Sequence, residues 1–159
     1  MNASQRRIGR SLWVGIGAAI LLSGCATVTG WYDGMTGWVG GVFSSGVKVT
    51  LSGSEEVPPV TTSAKGSGTI TVKDDGSISG SITTSGVAAF AAHIHMAERR
   101  TMNGGIIVPL TKTSDNVWSV PAGAKLNQAQ MAAFKAGLLY VNVHSAAYKG
   151  GEIRGQIKP

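Results

Sequence analysis

The chain has 159 residues, of which 23 are glycine and only 14% are charged, against an average near 25% in globular proteins. This length suits one domain with short additional segments, and the composition argues against a helical bundle, a coiled coil or a highly charged disordered protein. The formal net charge of +6, from 14 basic and 8 acidic side chains, would suit a nucleic-acid or membrane-surface protein, so the position of these charges matters.

The first predicted element is an export signal over residues 1–24. Three arginines precede an apolar run of about eleven residues, and small residues follow it, which is the order typical of secretory signal peptides. The run is too short for a transmembrane helix, which needs about 20 residues. Leu22-Ser23-Gly24-Cys25 resembles a bacterial lipobox, so we expect Cys25, the only cysteine, to be lipidated and to become the N-terminus. An ordinary signal peptide with an incidental cysteine is the alternative.

Removal of residues 1–24 would also remove half of the basic excess. Three arginines and no acidic residue lie there, which leaves 11 basic and 8 acidic side chains and a charge of +3. The remaining Lys and Arg are scattered, apart from Arg99-Arg100, without the basic stripe that nucleic-acid binding uses. We therefore expect no nucleic-acid partner. We expect the lipid on Cys25 to anchor the protein to a membrane of the bacterial cell envelope. The expected location is the periplasmic side of the outer membrane.

Residues 25–46 form a second predicted segment, which is rich in glycine and contains a short repeat. Thr29-Gly30-Trp31 recurs as Thr36-Gly37-Trp38. This composition is typical of a flexible tether between a lipid anchor and a domain. The two tryptophans would also suit the membrane interface, where amphipathic aromatic side chains are favoured, and the two interpretations are compatible.

From residue 47 to residue 158 the pattern predicts one all-β domain. Val47, Val49 and Leu51 alternate with polar residues at the period of two that is typical of strands. Asp74-Asp75-Gly76 predicts a hairpin turn between two further strands. Additional strands are expected over residues 91–96, 106–110, 117–120, 139–144 and 153–157. Seven or eight short strands of this kind indicate an antiparallel Greek-key sandwich or barrel.

A single short helix is predicted over residues 127–136. Asn127 is a candidate N-cap and Gln130 stands at the position that completes a capping box. Gly137 is expected to end the helix.

All three histidines are predicted to lie in strands. His93 and His95 alternate within one strand, so their side chains share a face, with Cβ atoms about 7 Å apart. His144 ends a second strand, on the face opposite Val141 and Val143. If the two strands are neighbours, three imidazoles meet on one side of a sheet and can bind one metal ion. Three unrelated surface or hydrogen-bonded histidines are the alternative.

Three neutral imidazoles suit copper or zinc, and the usual order of affinities favours copper. Met96 and Met102 are candidate soft ligands for Cu(I), although Met96 is expected on the opposite face, in the core. Glu98 and Glu152 are candidate partners for an imidazole N–H, and exposed strand ends explain them equally well. The sequence contains no nucleophile elbow, Walker motif or dinucleotide fingerprint, so it assigns no enzymatic reaction.

Four ordered segments resemble the chordin-type (CHRD) domain. In sequence they are LSGSEEVPPV from residue 51, AAHIH from residue 91, LYVNVH from residue 139 and GGEIRGQI from residue 150. The resemblance covers residues 47–158 and implies an all-β sandwich of a kind common in exported bacterial proteins. The layout also resembles copper/zinc superoxide dismutase, which would give His93, His95 and His144 the role of copper ligands. No further histidine is present for a bridging ligand or a zinc subsite, so a dismutase site would be incomplete.

These features together predict a lipid-anchored envelope protein that binds a transition metal through His93, His95 and His144 and sequesters or buffers it. Copper is the first candidate and zinc the second. Because the ligands bind as neutral imidazoles, we expect the affinity to weaken as the pH falls below about 6.5. One alternative is a non-catalytic module that binds an unidentified protein or a polysaccharide. A redox enzyme similar to superoxide dismutase is a third possibility.

Overall fold

The computed structural model describes residues 46–159, so the predicted export signal, the Cys25 lipidation site and all of the tether except Gly46 lie outside the described residues. Within this range the chain forms nine strands, one α-helix and a single turn of 3-10 helix at Gly53–Glu55. The strands are β1 (Gly46–Ser52), β2 (Lys65–Val72), β3 (Ile78–Ser85), β4 (Ala89–Met96), β5 (Gly105–Pro109), β6 (Thr111–Ser114), β7 (Val117–Ser119), β8 (Leu139–Ser145) and β9 (Ile153–Ile157). The helix, α1, is Gln128–Lys135. No helix of residues 46–159 is long and apolar enough to cross a membrane.

The all-β fold with one short helix is confirmed, and the predicted number of seven or eight strands is too low. The additional strand is β6, whose sequence is Thr-Lys-Thr-Ser and whose four residues are all exposed. A strand without buried residues shows no alternation of apolar and polar residues. Hydrophobic periodicity in the sequence therefore did not predict β6.

All strand pairings are antiparallel, and the sheet order is β5-β4-β8-β9-β1-β2-β3-β7-β6. Only Leu110 separates the two edge strands, β5 and β6, along the chain. The sheet therefore curves until its edges come together, which gives a nearly closed barrel or sandwich. The connections from β3 to β4 and from β7 to β8 pass to strands that are not neighbours, as in a Greek key.

The core is built from alternate residues of the strands, as the sequence predicted. On β1, Val47, Val49 and Leu51 are buried between exposed polar residues, and on β8 the corresponding apolar face has no solvent exposure. Burying one such side chain contributes about 1.5–3 kcal/mol. The large aliphatic side chains with at most 1% exposure come from six strands: Val49, Leu51, Ile70, Ile82, Ile94, Leu139, Val141, Val143, Ile153 and Ile157.

The predicted turn and helix caps are confirmed in detail. Gly76 has φ +84° in the turn between β2 and β3, and the Asp75 carboxylate accepts hydrogen bonds from the backbone and the hydroxyl of Ser77. At the start of α1, Asn127 and Gln130 exchange the two hydrogen bonds of a capping box. Gly137 follows the helix at φ +65°, the left-handed conformation that glycine adopts easily.

Candidate metal centre

Strands β4 and β8 are neighbours, which is the condition that the sequence left open. Their antiparallel register pairs His93 with Asn142, His95 with Tyr140 and Ala91 with His144. Paired residues on antiparallel strands point to the same face, so all three histidines project from one side of the sheet. The opposite face of both strands carries the core residues, including Ile94 and Val141.

The three imidazoles form a compact group. Nδ1 of His93 lies 3.1 Å from Nε2 of His144, and the ring centroids of His93 and His95 are 5.6 Å apart. One ring nitrogen from each histidine lies within 4.8 Å of the others. Two nitrogens bound to the same ion at 2.0–2.1 Å can be at most about 4.2 Å apart. A small rotation of the rings is therefore enough for all three to bind one ion.

Hydrogen bonds to backbone carbonyls determine which ring nitrogen of His95 and of His144 carries a lone pair. Nδ1 of His95 lies 3.0 Å from the carbonyl oxygen of Gly104, and Nδ1 of His144 lies 2.9 Å from that of Lys149. A carbonyl oxygen can only accept, so each Nδ1 carries the proton and each Nε2 carries a lone pair. Nε2 of His95 is buried and has no hydrogen-bond partner within residues 46–159. Such an arrangement is typical of metal-binding imidazoles, whose second nitrogen is held by a hydrogen bond.

The environment favours neutral imidazoles. His95 and His144 are each only 8% exposed, whereas His93 is partly exposed. Burial lowers the pKa of His93, and the nearby His144 lowers it further. Burial also lowers the pKa of His95, partly opposed by its hydrogen bond to Gly104. Neutral imidazoles can donate a lone pair to a metal ion, and the exposed edge of His93 provides access from solvent.

Both faces of β8 are buried because the loops that follow β1, β4 and β8 contact the histidine side of the sheet, through Glu56, Gly104 and Lys149 respectively. Tyr140 is stacked on His95, with ring centroids 5.0 Å apart and an interplanar angle of 11°. Its hydroxyl accepts a hydrogen bond from the backbone N–H of Gly104. The guanidinium carbon of Arg154, on β9, lies 3.4 Å from the centre of the Tyr140 ring on β8. The histidine side is thus a packed environment rather than an open sheet surface.

Glu56 belongs to this covering layer and is a buried acid. Its Oε2 accepts a hydrogen bond of 3.1 Å from the side-chain amide of Asn142, the residue opposite His93 on β8. Oε1 of Glu56 and Oδ1 of Asn142 have no partner in the described part of the chain. Burial raises the pKa of Glu56 to about 7, although Asn142 and the charge of Arg154 lower it.

The predicted carboxylate partners of the imidazoles have different roles. The carboxylate of Glu152 is buried and accepts a hydrogen bond from the hydroxyl of Thr62, so it is neither the partner of an imidazole N–H nor the exposed strand end that the sequence left as alternatives. Glu98 is exposed, on a groove beside α1. The N–H groups of His95 and His144 donate to backbone carbonyls, which no side-chain pattern encodes.

The two methionines lie apart from the histidine group. Met96 is partly buried and packs against the core, as expected for the opposite face of β4. Met102 is 43% exposed and lines the groove beside α1.

Sequence reasoning missed the contributions of Tyr140, Arg154 and the Gly104 carbonyl. An arginine between the apolar residue Ile153 and Gly155 within a buried strand is the one visible signal, because a buried guanidinium needs several acceptors.

The family model described as the CHRD domain matches residues 47–157, which is more than half of the chain and includes all three histidines. Searches of the curated proteins and of the solved structures find no significant match.

Proposed function

The chain belongs to the CHRD domain family, and we propose that the three-histidine cluster of its domain binds one transition-metal ion. The observation that carries this proposal is the convergence of three ring nitrogens within 4.8 Å. The lone pairs of His95 and His144 are oriented by backbone carbonyls, and that of His95 is buried without a protein partner within residues 46–159. A buried acceptor without a hydrogen bond costs about 1–3 kcal/mol, and a bound cation would remove that cost.

Copper is the ion that the donor set favours. Among residues 46–159, the group consists of imidazoles alone, without a carboxylate or thiolate. Imidazole suits copper and zinc, and copper(II) stands above zinc in the usual order of affinities. Zinc is the second candidate, because three histidines with one open position also suit that ion.

We further propose that the protein sequesters or buffers copper in the bacterial cell envelope, attached to the membrane through a lipid on Cys25. Support for storage comes from the burial of two of the three ligands, which restricts exchange of the ion with solvent. Support for the anchor comes from the order of basic, apolar and small residues before Cys25.

The metal proposal is tested by titrating the purified, metal-free full chain with Cu(II) and with Zn(II). We expect one equivalent of copper per chain and weaker binding of zinc. The double variant His93→Ala/His95→Ala should lose this equivalent. Glu98→Gln removes an exposed carboxylate on the groove beside α1 and should leave the stoichiometry and affinity unchanged. Stoichiometry that is the same in the double variant as in the wild type would refute the proposal and favour a metal-free binding module.

A further inference from the structure

Arg154 is a buried charged residue that direct metal binding does not use. It lies in β9 and is 1% exposed. Its guanidinium donates four hydrogen bonds to the segment of residues 100–103. Nη1 donates to the carbonyl of Met102 and to Oδ1 of Asn103, both at 3.2 Å. Nη2 donates to the carbonyls of Arg100 and Met102, at 3.1 and 3.2 Å. The planar guanidinium thus fixes the end of this loop in one orientation.

The next residue of that loop holds His95. The carbonyl of Gly104 accepts the Nδ1–H of His95 at 3.0 Å, and the N–H of Gly104 donates to the Tyr140 hydroxyl at 2.9 Å. The position of Gly104 therefore determines which nitrogen of His95 carries the proton. Any movement of residues 100–103 would change that hydrogen bond.

Arg154 also acts on His95 through the ring of Tyr140. Its guanidinium carbon lies 3.4 Å from the centre of the Tyr140 ring, and the other face of that ring is stacked on His95. Arg154, Tyr140 and His95 form a column in which the ring plane of His95 is fixed by its neighbours. The hydrogen bond sets the tautomer of His95, and the column sets its orientation.

We propose that Arg154 is a positioning residue for the metal site, which keeps His95 in the single tautomer whose Nε2 can bind the ion. This inference rests on the proposed metal-binding function. A positively charged residue would usually be avoided beside a cation site, so its presence here, with four hydrogen bonds from its two Nη atoms, fits a geometric role. The loss of a residue that orients a metal ligand typically weakens metal binding 10–100-fold.

The test is ¹⁵N NMR of the imidazoles in the metal-free full chain, followed by measurement of the copper dissociation constant. In the wild type we expect one His95 tautomer, protonated at Nδ1. Arg154→Gln should show a mixture of tautomers and a dissociation constant raised about 10–100-fold. Arg154→Lys keeps the charge without the planar donors and should not restore the single tautomer. Arg99→Gln, an exposed position in the same loop, is the matched control and should behave as the wild type.

A single Nδ1-protonated tautomer and wild-type affinity in Arg154→Gln, or full rescue by Arg154→Lys, would overturn the inference. If Arg154→Gln does not fold, Asn103→Ala removes one of the four hydrogen bonds of the guanidinium and decides the question. A mixed tautomer in that variant supports the positioning role, and a single tautomer contradicts it. The tautomer is measured without metal. A wild-type chain that binds neither copper nor zinc would therefore refute the proposed function, whereas the positioning of His95 by Arg154 would still be supported or contradicted by the tautomer alone.

Discussion

Nδ1 of His93 lies 3.1 Å from Nε2 of His144, although 51 residues separate the two histidines in the chain. The Nδ1–H of His144 donates to the carbonyl of Lys149, so its Nε2 accepts and His93 donates. Without metal, the cluster is therefore closed by a hydrogen bond between two of its own ligands. An ion that binds all three rings must replace this hydrogen bond, and His144 then gives its lone pair to the metal.

The affinity for copper should stay constant from pH 8 to about pH 6.5 and weaken below it. The pKa values of His93 and His95 are lowered from 6.5, chiefly by burial, so both rings are already neutral above that pH. Protons compete with the ion only at lower pH, and two or more ligands make the loss steep. Competition titrations with a chelator of known affinity between pH 5 and 8 measure this. Substantial weakening already between pH 8 and 7 would contradict it.

The buried carboxyl of Glu56 should make the free energy of unfolding fall as the pH rises. Its pKa is raised from 4.5 to about 7, so between these values the folded chain binds more protons than the unfolded chain. The stabilisation by the neutral acid is complete below pH 4.5 and is lost as the pH rises to about 7.

Glu56→Gln resembles the protonated acid and keeps an oxygen that can accept the hydrogen bond from the side-chain amide of Asn142. At pH 8 we expect this variant to be more stable than the wild type by about 2 kcal/mol, and at pH 5 the difference should be much smaller. Denaturant unfolding of metal-free protein at both pH values measures the difference. A difference that does not change with pH would exclude titration of Glu56 as its source.

Two adjacent glycines provide a matched test of the loop that holds His95. A Cβ at Gly104 would overlap the backbone carbonyl of Met96, whereas a Cβ at Gly105 would have no atom within 4 Å. Gly104→Ala should therefore cost about 1–3 kcal/mol of stability and weaken copper binding, because the Gly104 carbonyl must shift away from His95. Gly105→Ala should change neither. Thermal unfolding and copper titration of both variants check this, and equal behaviour of the two variants would contradict it.

Lipidation at Cys25 predicts a specific covalent change in cells. The membrane-associated chain should begin at Cys25 and carry acyl groups, detected by intact-mass spectrometry. Cys25→Ala should remain unacylated. A chain that is cleaved but unmodified at Cys25 would instead indicate an ordinary signal peptide.

The sequence predicted the histidine group because its determinants are local. The spacing of His93 and His95 places both on one face of a strand, and the alternation in β8 places His144 opposite the valines. The pairing of β4 with β8 depends on the packing of the whole sheet and had to be assumed.

The features that the sequence did not predict depend on long-range contacts. Arg154 acts on a loop about 50 residues away, through backbone carbonyls that have no side-chain signature. Glu152 was one candidate partner of an imidazole N–H but lies against Thr62, because its position depends on how the loops fold over the sheet. Strand β6 was missed since it is held by pairing with β7 alone and buries nothing.

Anomalous diffraction from crystals of the copper-loaded chain tests most directly whether the three histidines bind one ion. We predict a single strong copper peak at about 2.0–2.1 Å from Nε2 of His95, Nε2 of His144 and one ring nitrogen of His93. Copper located at exposed carboxylates or at the chain terminus, with the His93–His144 hydrogen bond intact, would contradict the proposed metal site.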